Sequence, residues 1–287
     1  MSSSAPPPSG LRERVVVAAR AVRPAGRAVP EPAPITAVEA FSRAADALNG
    51  LLSALADDQW ETVALRGLDA YGLVAHLTGV EDDVRAALEG DPGVADIDHV
   101  AATRSQPART PEGTRVAWRT AVDATLTHLA ATDDLDQVVA VHRIRLPLRS
   151  LLVARAFELW AHENDIRAAI GMPRRDPDPS TLTLMTTLAT RLLPFGVARL
   201  GNGQAPVDLH LVLTGDGGGT WDLPLGDRGA PAPALRDVPE VTIVAEAVDF
   251  CRLVANRLRP ADLPTHLGGS VVHVPHILAG AAALALD

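Results

Sequence analysis

Between Thr36 and Arg199, apolar residues recur every three or four positions, the period of helices that bury one face. Phe41, Ala44, Ala45, Leu48, Leu51, Leu52 and Leu55 predict an amphipathic helix over about 37–56, with Thr36 as its N-cap. A second helix is expected from the N-cap Asp69, with Leu73, Leu77, Val80, Val84 and Leu88 on its stripe, ending at Gly90 and Pro92. A third is expected from Pro111 to Ala131, with Val116, Val122, Leu126 and Leu129 inward. A fourth runs from Leu148 to Ile170, closed by Gly171 and Pro173, and a fifth from Ser180 to Leu193, where Pro194 kinks or ends it. Helices of this number and length make a bundle.

After the Gly/Pro-rich break at 201–206 the period becomes two. Val207, Leu209, Leu211 and Leu213 alternate with Asp208, His210, Val212 and Thr214 as in a half-buried strand, and Gly215 to Gly219 turn the chain into a partner over Thr220 to Leu225. That glycine run joins two strands and opens no helix, so it is read as a turn and not as a phosphate cradle. Val241 to Ala245 is a further strand, followed by helices over Ala247 to Leu258 and Pro275 to Leu286. The fold class expected is therefore α plus α+β: a flexible arm over 1–36, an up-down helical bundle over 37–200 and a smaller α+β domain over 206–287. The arm holds seven of the 23 prolines and one short candidate helix, Leu11 to Val22.

Composition narrows the chemistry. All 26 basic residues are arginine, which excludes a lysine Schiff base, a Walker A loop and a protein-kinase site. A net charge of −9 argues against nucleic acid as partner, and no apolar run is long enough for a membrane span. The lone Cys251 excludes an intramolecular disulfide, sits among Phe250, Leu253 and Val254 as a buried hydrophobe, and fits a reducing cytoplasm. The pattern assigns no oligomeric state.

In the fourth helix, Arg155, Glu158, His162 and Asp165 recur at 3-4-3 spacing and form one polar stripe. Glu158 and His162, one turn apart, can offer a carboxylate oxygen and an imidazole nitrogen to the same point, although such a pair flanked by arginine is also the usual make-up of a solvated face. His76 sits beside the apolar stripe of the second helix, either as a hydrogen-bonded core residue or facing the bundle interior. In the second case His76, Glu158 and His162 make a three-ligand metal site with an open position, as in catalytic zinc. Asp165 can accept from the His162 imidazole, and Arg155 or Arg257 can hold a substrate carboxylate. His273 and His276, separated by Pro275, are read as structural.

Two runs, Gly67-Leu68-Asp69-Ala70-Tyr71-Gly72-Leu73-Val74-Ala75-His76-Leu77 and Phe157-Glu158-Leu159-Trp160-Ala161-His162-Glu163-Asn164-Asp165-Ile166-Arg167, resemble the mycothiol-dependent maleylpyruvate isomerase family. The resemblance implies a DinB-like metal-binding bundle with His76, Glu158 and His162 as zinc ligands, nickel or iron also suiting the donor set. It also implies a sterol-carrier-protein-2-like C-terminal domain, which the hairpin and the run Asp249 to Arg257 resemble. Leu68 and Asp69 depart from the tryptophan and the Thr or Ser usual there, and Asn256-Arg257 is the match to a Gly-Arg whose arginine is implicated in activity. Mycothiol is the thiol cosubstrate so implied: it adds to an electrophilic double bond, the bond rotates and the thiol leaves, or the adduct is kept. The function expected is a zinc-dependent, mycothiol-using isomerase or thiol S-transferase acting on a small electrophile that can carry a carboxylate. The alternatives are a non-catalytic small-molecule or lipid-binding protein with a structural metal, and a DinB-like metal-dependent hydrolase.

Overall fold

Thr36 and Glu39 open α1 (Ala37–Ala54) with a reciprocal cap: the Thr36 hydroxyl accepts from the Glu39 N–H at 3.1 Å, and the Glu39 carboxylate accepts from the Thr36 N–H at 2.7 Å. The computed structural model describes residues 32–102, 110–201, 206–226 and 238–285, so the candidate helix at Leu11 to Val22 lies outside the described residues. Asp69, the last residue of a small hairpin of β1 (Val63–Leu65) and β2 (Leu68–Asp69), caps α2 (Ala70–Leu88) by accepting from the Gly72 N–H at 2.8 Å. Thr110 caps α3 (Pro111–Ala130) in the same way, through the Gly113 N–H. On α3 the buried face is Thr114, Trp118, Val122, Thr125 and Leu129, and the expected inward Val116 is exposed. Val116 lies two residues, and so about 200°, from the fully buried Trp118, which takes the inward position.

No side chain caps α4 (Leu148–Ala169). Its start is fixed by a second hairpin, β3 (Val138–Val141) and β4 (Ile144–Pro147), which runs directly into it. The Leu148 and Arg149 N–H groups, orphans of the first turn, donate to the carbonyls of Gln137 and Leu135, each at 2.9 Å. Neither hairpin carries an Asn-Gly or Asp-Gly turn, which is why both escape a periodicity reading.

α1 packs on α3 and α4, and α2 on α3, around a core that includes Phe41, Leu48, Trp60, Leu77, Trp118 and Leu152. A second core lies under a four-stranded sheet in the order β6-β5-β7-β8, with β5 (Val207–Thr214), β6 (Gly219–Leu225), β7 (Val241–Glu246) and β8 (His266–Gly269). β5 and β7 are parallel and the other pairs antiparallel. β8 is an addition to the strands expected from the sequence. α5 (Pro179–Leu200), α6 (Ala247–Val254) and α7 (Val274–Ala282) fill this core with Leu182, Met185, Leu193, Phe250, Leu253 and Leu278. α6 stops short of Leu258 because Asn256 turns into the left-handed region at φ 56°.

α5 runs through Pro194 to Leu200, and its buried residues lie in the second core. Burial of Leu193 and Val197 on either side of the proline carries the helix past the missing N–H. α4 serves both cores: Leu148, Leu152, Leu159 and Ile166 belong to the first, and Val153, Phe157 and Trp160 to the second. Among the described residues no helix is long and apolar enough to cross a membrane.

α5 and α7 meet at Gly196 and Gly280, where a Cβ on Gly196 would overlap the Gly280 carbonyl oxygen. Gly196→Ala is therefore expected to lower stability by about 1–3 kcal/mol. Gly50→Ala, in α1 with open space around it, should raise it by about 0.5–1 kcal/mol. Denaturant titration of both variants checks the pair. Asp178 caps α5 through Ser180 and Thr181 and binds Arg43 of α1 at 2.9 Å. Burial would raise its carboxyl, but the Thr181 hydrogen bonds and the Arg43 charge outweigh this and hold it below the usual range. A depressed carboxylate stabilises above its unfolded value. Its contribution should be complete above about pH 4 and disappear as pH falls through the lower folded-state value. Asp178→Ala is expected to remove about 0.5–2 kcal/mol at neutral pH and to flatten this acid limb of the stability profile.

Candidate metal centre

Arg155, Glu158, His162 and Asp165 do lie along one face of α4, but that face is largely buried: Arg155 is 2% exposed and His162 4%, with Glu158 and Asp165 half-buried. His76, on α2, is 6% exposed and faces it. His76 Nε2 lies 3.2 Å and His162 Nε2 4.0 Å from the same oxygen, Glu158 Oε1, and the three donor atoms lie within 4.8 Å of one another. Zinc ligands at about 2.0–2.1 Å from a tetrahedral ion stand about 3.3–3.4 Å apart. The donor set therefore fits a divalent ion after a contraction of up to about 1.5 Å on the His162 side.

The other carboxylate oxygen, Glu158 Oε2, accepts from Arg155 Nη1. Arg155 Nε and Nη2 both donate to Glu81 Oε1, at 3.1 and 2.6 Å, and Thr125 Oγ1 lies 3.3 Å from Glu81 Oε2. The guanidinium is thus held between two buried carboxylates. That corrects the expectation that Arg155 can clamp a substrate carboxylate: its fork is already occupied, and what it holds is Glu158. Burial would raise the Glu158 carboxyl, but the charges of Arg155 and His99 and hydrogen bonds from His76 and His99 hold it well below the usual range. Burial pushes the His76 imidazole below its ordinary value, against a smaller opposing pull from Glu158. At neutral pH this gives a carboxylate beside a neutral imidazole, the protonation state a metal requires.

Asp165 stands where the spacing placed it, with Oδ2 3.0 Å from His162 Nδ1. A carboxylate only accepts, so Nδ1 carries the hydrogen and Nε2 is left with a lone pair facing Glu158. Arg257, from the turn after α6, grips both Asp165 oxygens, Nε to Oδ1 at 2.9 Å and Nη2 to Oδ2 at 2.8 Å. Burial would raise Asp165, but these bonds from His162 and Arg257 outweigh it and lower its pKa.

Three residues that periodicity does not single out complete the cluster. His99 Nε2 lies 3.1 Å from Glu158 Oε1, His99 Nδ1 3.1 Å from His142 Nδ1, and His142 Nε2 3.1 Å from Asp83 Oδ2. His142 and Arg143 form the β3–β4 turn with φ of 50° and 62°, a left-handed pair without glycine, pinned by N–H bonds to the Val94 and Ala95 carbonyls. That strain is a signal of constraint, but it exists only in the backbone.

A cavity of about 120 Å³ opens beside the cluster. Its polar wall includes His99, Glu158, His162 and Arg257, and its apolar wall is built from both cores, among them Val80, Leu151, Phe157, Leu188 and Val254. Cys251 is fully buried elsewhere in the second core, and burial pushes its thiol up. His273 pairs with Glu240 at 3.3 Å.

Replacing Arg155 by methionine leaves Glu81 and Glu158 buried without their shared cation. Urea denaturation of the metal-free protein should record a loss of about 3–5 kcal/mol, and a smaller one for Arg155→Lys, which keeps the charge without the fork.

The sequence profile described as "Mycothiol maleylpyruvate isomerase N-terminal domain" matches residues 41–167. The crystal structure of the mycothiol-dependent maleylpyruvate isomerase is similar to this one with a TM-score of 0.51 at 15% identity, over 80% of this chain and 91% of that one. Its histidine-to-alanine mutant gives 0.52 at 14% identity with the same coverage. At these identities the likeness is one of fold, a helical N-terminal part followed by a smaller α+β part. No curated protein sequence matches the chain. The matched segment, 41–167, is the one that supplies His76, Glu158 and His162, so the likeness to mycothiol maleylpyruvate isomerase N-terminal domains covers the candidate metal centre.

Proposed function

We propose that this protein is a cytoplasmic, zinc-dependent isomerase or S-transferase that uses mycothiol on a small electrophilic substrate. The observation that carries this reading is the convergence of His76 Nε2, Glu158 Oε1 and His162 Nε2 within 4.8 Å at the polar wall of an otherwise apolar cavity. A divalent ion held there would supply Lewis acidity, lowering the pKa of a coordinating thiol so that it is nucleophilic at neutral pH.

The chain's own residues arrange the rest. Asp165, itself fixed by Arg257, sets the His162 tautomer, and Arg155 fixes the Glu158 carboxylate. The aliphatic wall receives the carbon skeleton of the electrophile and limits the access of water. Arg257 lines the cavity with its Nε and Nη2 on Asp165 and its Nη1 on the Ala255 carbonyl, so its role at that wall is to hold Asp165 and through it His162. Cys251 is buried and does not line the cavity, which favours a soluble thiol as nucleophile. Addition of the thiol across a double bond, rotation about the resulting single bond and loss of the same thiol exchange no electrons with the protein. Retention of the thioether instead gives the transferase outcome.

Purified protein should carry about one equivalent of zinc by elemental analysis, with His76→Ala and His162→Ala both depleted. A wild-type protein without stoichiometric metal would sink the reading. In the cobalt-substituted form, mycothiol should add a thiolate charge-transfer band, whereas a hydrolase working through water would leave that region of the spectrum unchanged.

A further inference from the structure

The cavity beside the metal centre is lined mainly by aliphatic side chains, among them Val84, Ile144, Leu151, Leu188, Leu192 and Val254. Among the described residues, the only side chains on its wall with a permanent positive charge are Arg155 and Arg257. Both are committed inside the protein. Arg155 donates from Nε and Nη2 to Glu81 and from Nη1 to Glu158. Arg257 donates from Nε and Nη2 to Asp165, and from Nη1 to the Ala255 carbonyl at 2.8 Å. All three nitrogens of each guanidinium are therefore engaged, and each charge is met by a carboxylate of the chain. The imidazoles of His99 and His142 likewise have both ring nitrogens on partners within the cluster, and His162 turns Nδ1 to Asp165 and Nε2 to the metal centre.

A substrate carboxylate entering this cavity would leave water for an aliphatic wall and compete with Glu158 or Asp165 for its counter-charge. Burying a charge without a partner of its own is strongly unfavourable, whereas an ester, ketone or amide of the same skeleton brings only a neutral carbonyl. The open position at the metal centre belongs to the thiol in the reading above, so it does not serve a carboxylate either. The volume of about 120 Å³ is close to that of apolar cavities of about 150 Å³ that take up benzene, and so admits one small carbon skeleton.

We propose that the electrophile of this site is a small uncharged molecule, an α,β-unsaturated ester, ketone or amide with an apolar body, and not a carboxylate. The inference rests on the thiol reaction proposed above and narrows its substrate class. The sequence permits a carboxylate clamp at Arg155 or Arg257; the tertiary structure turns both onto carboxylates of the chain.

Methyl butanoate and butanoate, which cannot react, give a binding comparison on the zinc-loaded wild type with mycothiol present. Ligand-observed NMR should show the ester bound about 10-fold or more tightly than the anion. Methyl cis-2-butenoate and cis-2-butenoate give the turnover comparison, read as trans isomer or thioether formed over the uncatalysed thiol reaction. That enhancement should be about 10-fold or more larger for the ester. Arg257→Gln should lower both enhancements by the same factor, because Arg257 acts through Asp165 and His162. Leu192→Arg, which places a cation on the aliphatic wall, should shift the preference toward the anion by about 10-fold or more. An anion bound and turned over as well as the ester, or an Arg257→Gln loss confined to the anion, would overturn the assignment. So would a wild type that binds neither methyl butanoate nor butanoate. Preferential ester binding without acceleration of either butenoate overturns the thiol reading instead and leaves the cavity's preference for uncharged ligands standing. The wild-type comparison decides by itself should a variant fail to fold.

Discussion

The guanidinium of Arg155, held between the carboxylates of Glu81 and Glu158, is the interaction on which the site depends. α4 packs against both cores, so its polar stripe is largely shut off from solvent, with 16% of the Glu158 side chain and 10% of the Asp165 side chain exposed. Burying an isolated charge from that stripe would be prohibitive, and the stripe survives because each member meets an opposite charge or a hydrogen-bond partner. Glu81 and Glu158 share Arg155, and His162 and Arg257 share Asp165. The ionic lattice thus fixes the orientation of Glu158.

Both lobes are needed to complete this arrangement. The bundle supplies His76, Glu158 and His162, yet His162 is aligned by Asp165, and Asp165 is held by Arg257 from the turn that ends α6 in the α+β part. The left-handed Asn256 that ends that helix is also what brings Arg257 back toward α4. The cavity has the same dual origin, with Val80 and Leu151 from the bundle and Leu188 and Val254 from the second core. A change in the packing of α5 against α7, at Gly196 and Gly280, would therefore reach the site through α5, whose Leu188 lines it.

Much of the fold was legible because it follows local rules. Thr36 and Asp69 cap the helices they were expected to cap, and the period-two run after Pro206 is a strand. The two short hairpins were not, since strands of two to four residues have no periodicity to detect. Val116 misled because a stripe of branched residues on a helix gives two plausible faces, and the choice was made by the volume of Trp118. α5 passed its proline because tertiary burial outweighed the missing hydrogen bond.

The sequence by itself determined the 3-4-3 stripe on α4, the histidine on α2, and an all-arginine complement that makes every cationic contact a guanidinium fork. Those facts depend only on helical geometry and residue chemistry. Tertiary structure alone decided that the stripe is largely buried rather than solvated and that Arg155 is held between Glu81 and Glu158 while Arg257 holds Asp165. It also brought His99 and His142, 43 residues apart in the chain, into contact. The reason is physical: a side chain's burial and partners are set by which elements close over it, and contacts between distant segments leave no period in the chain.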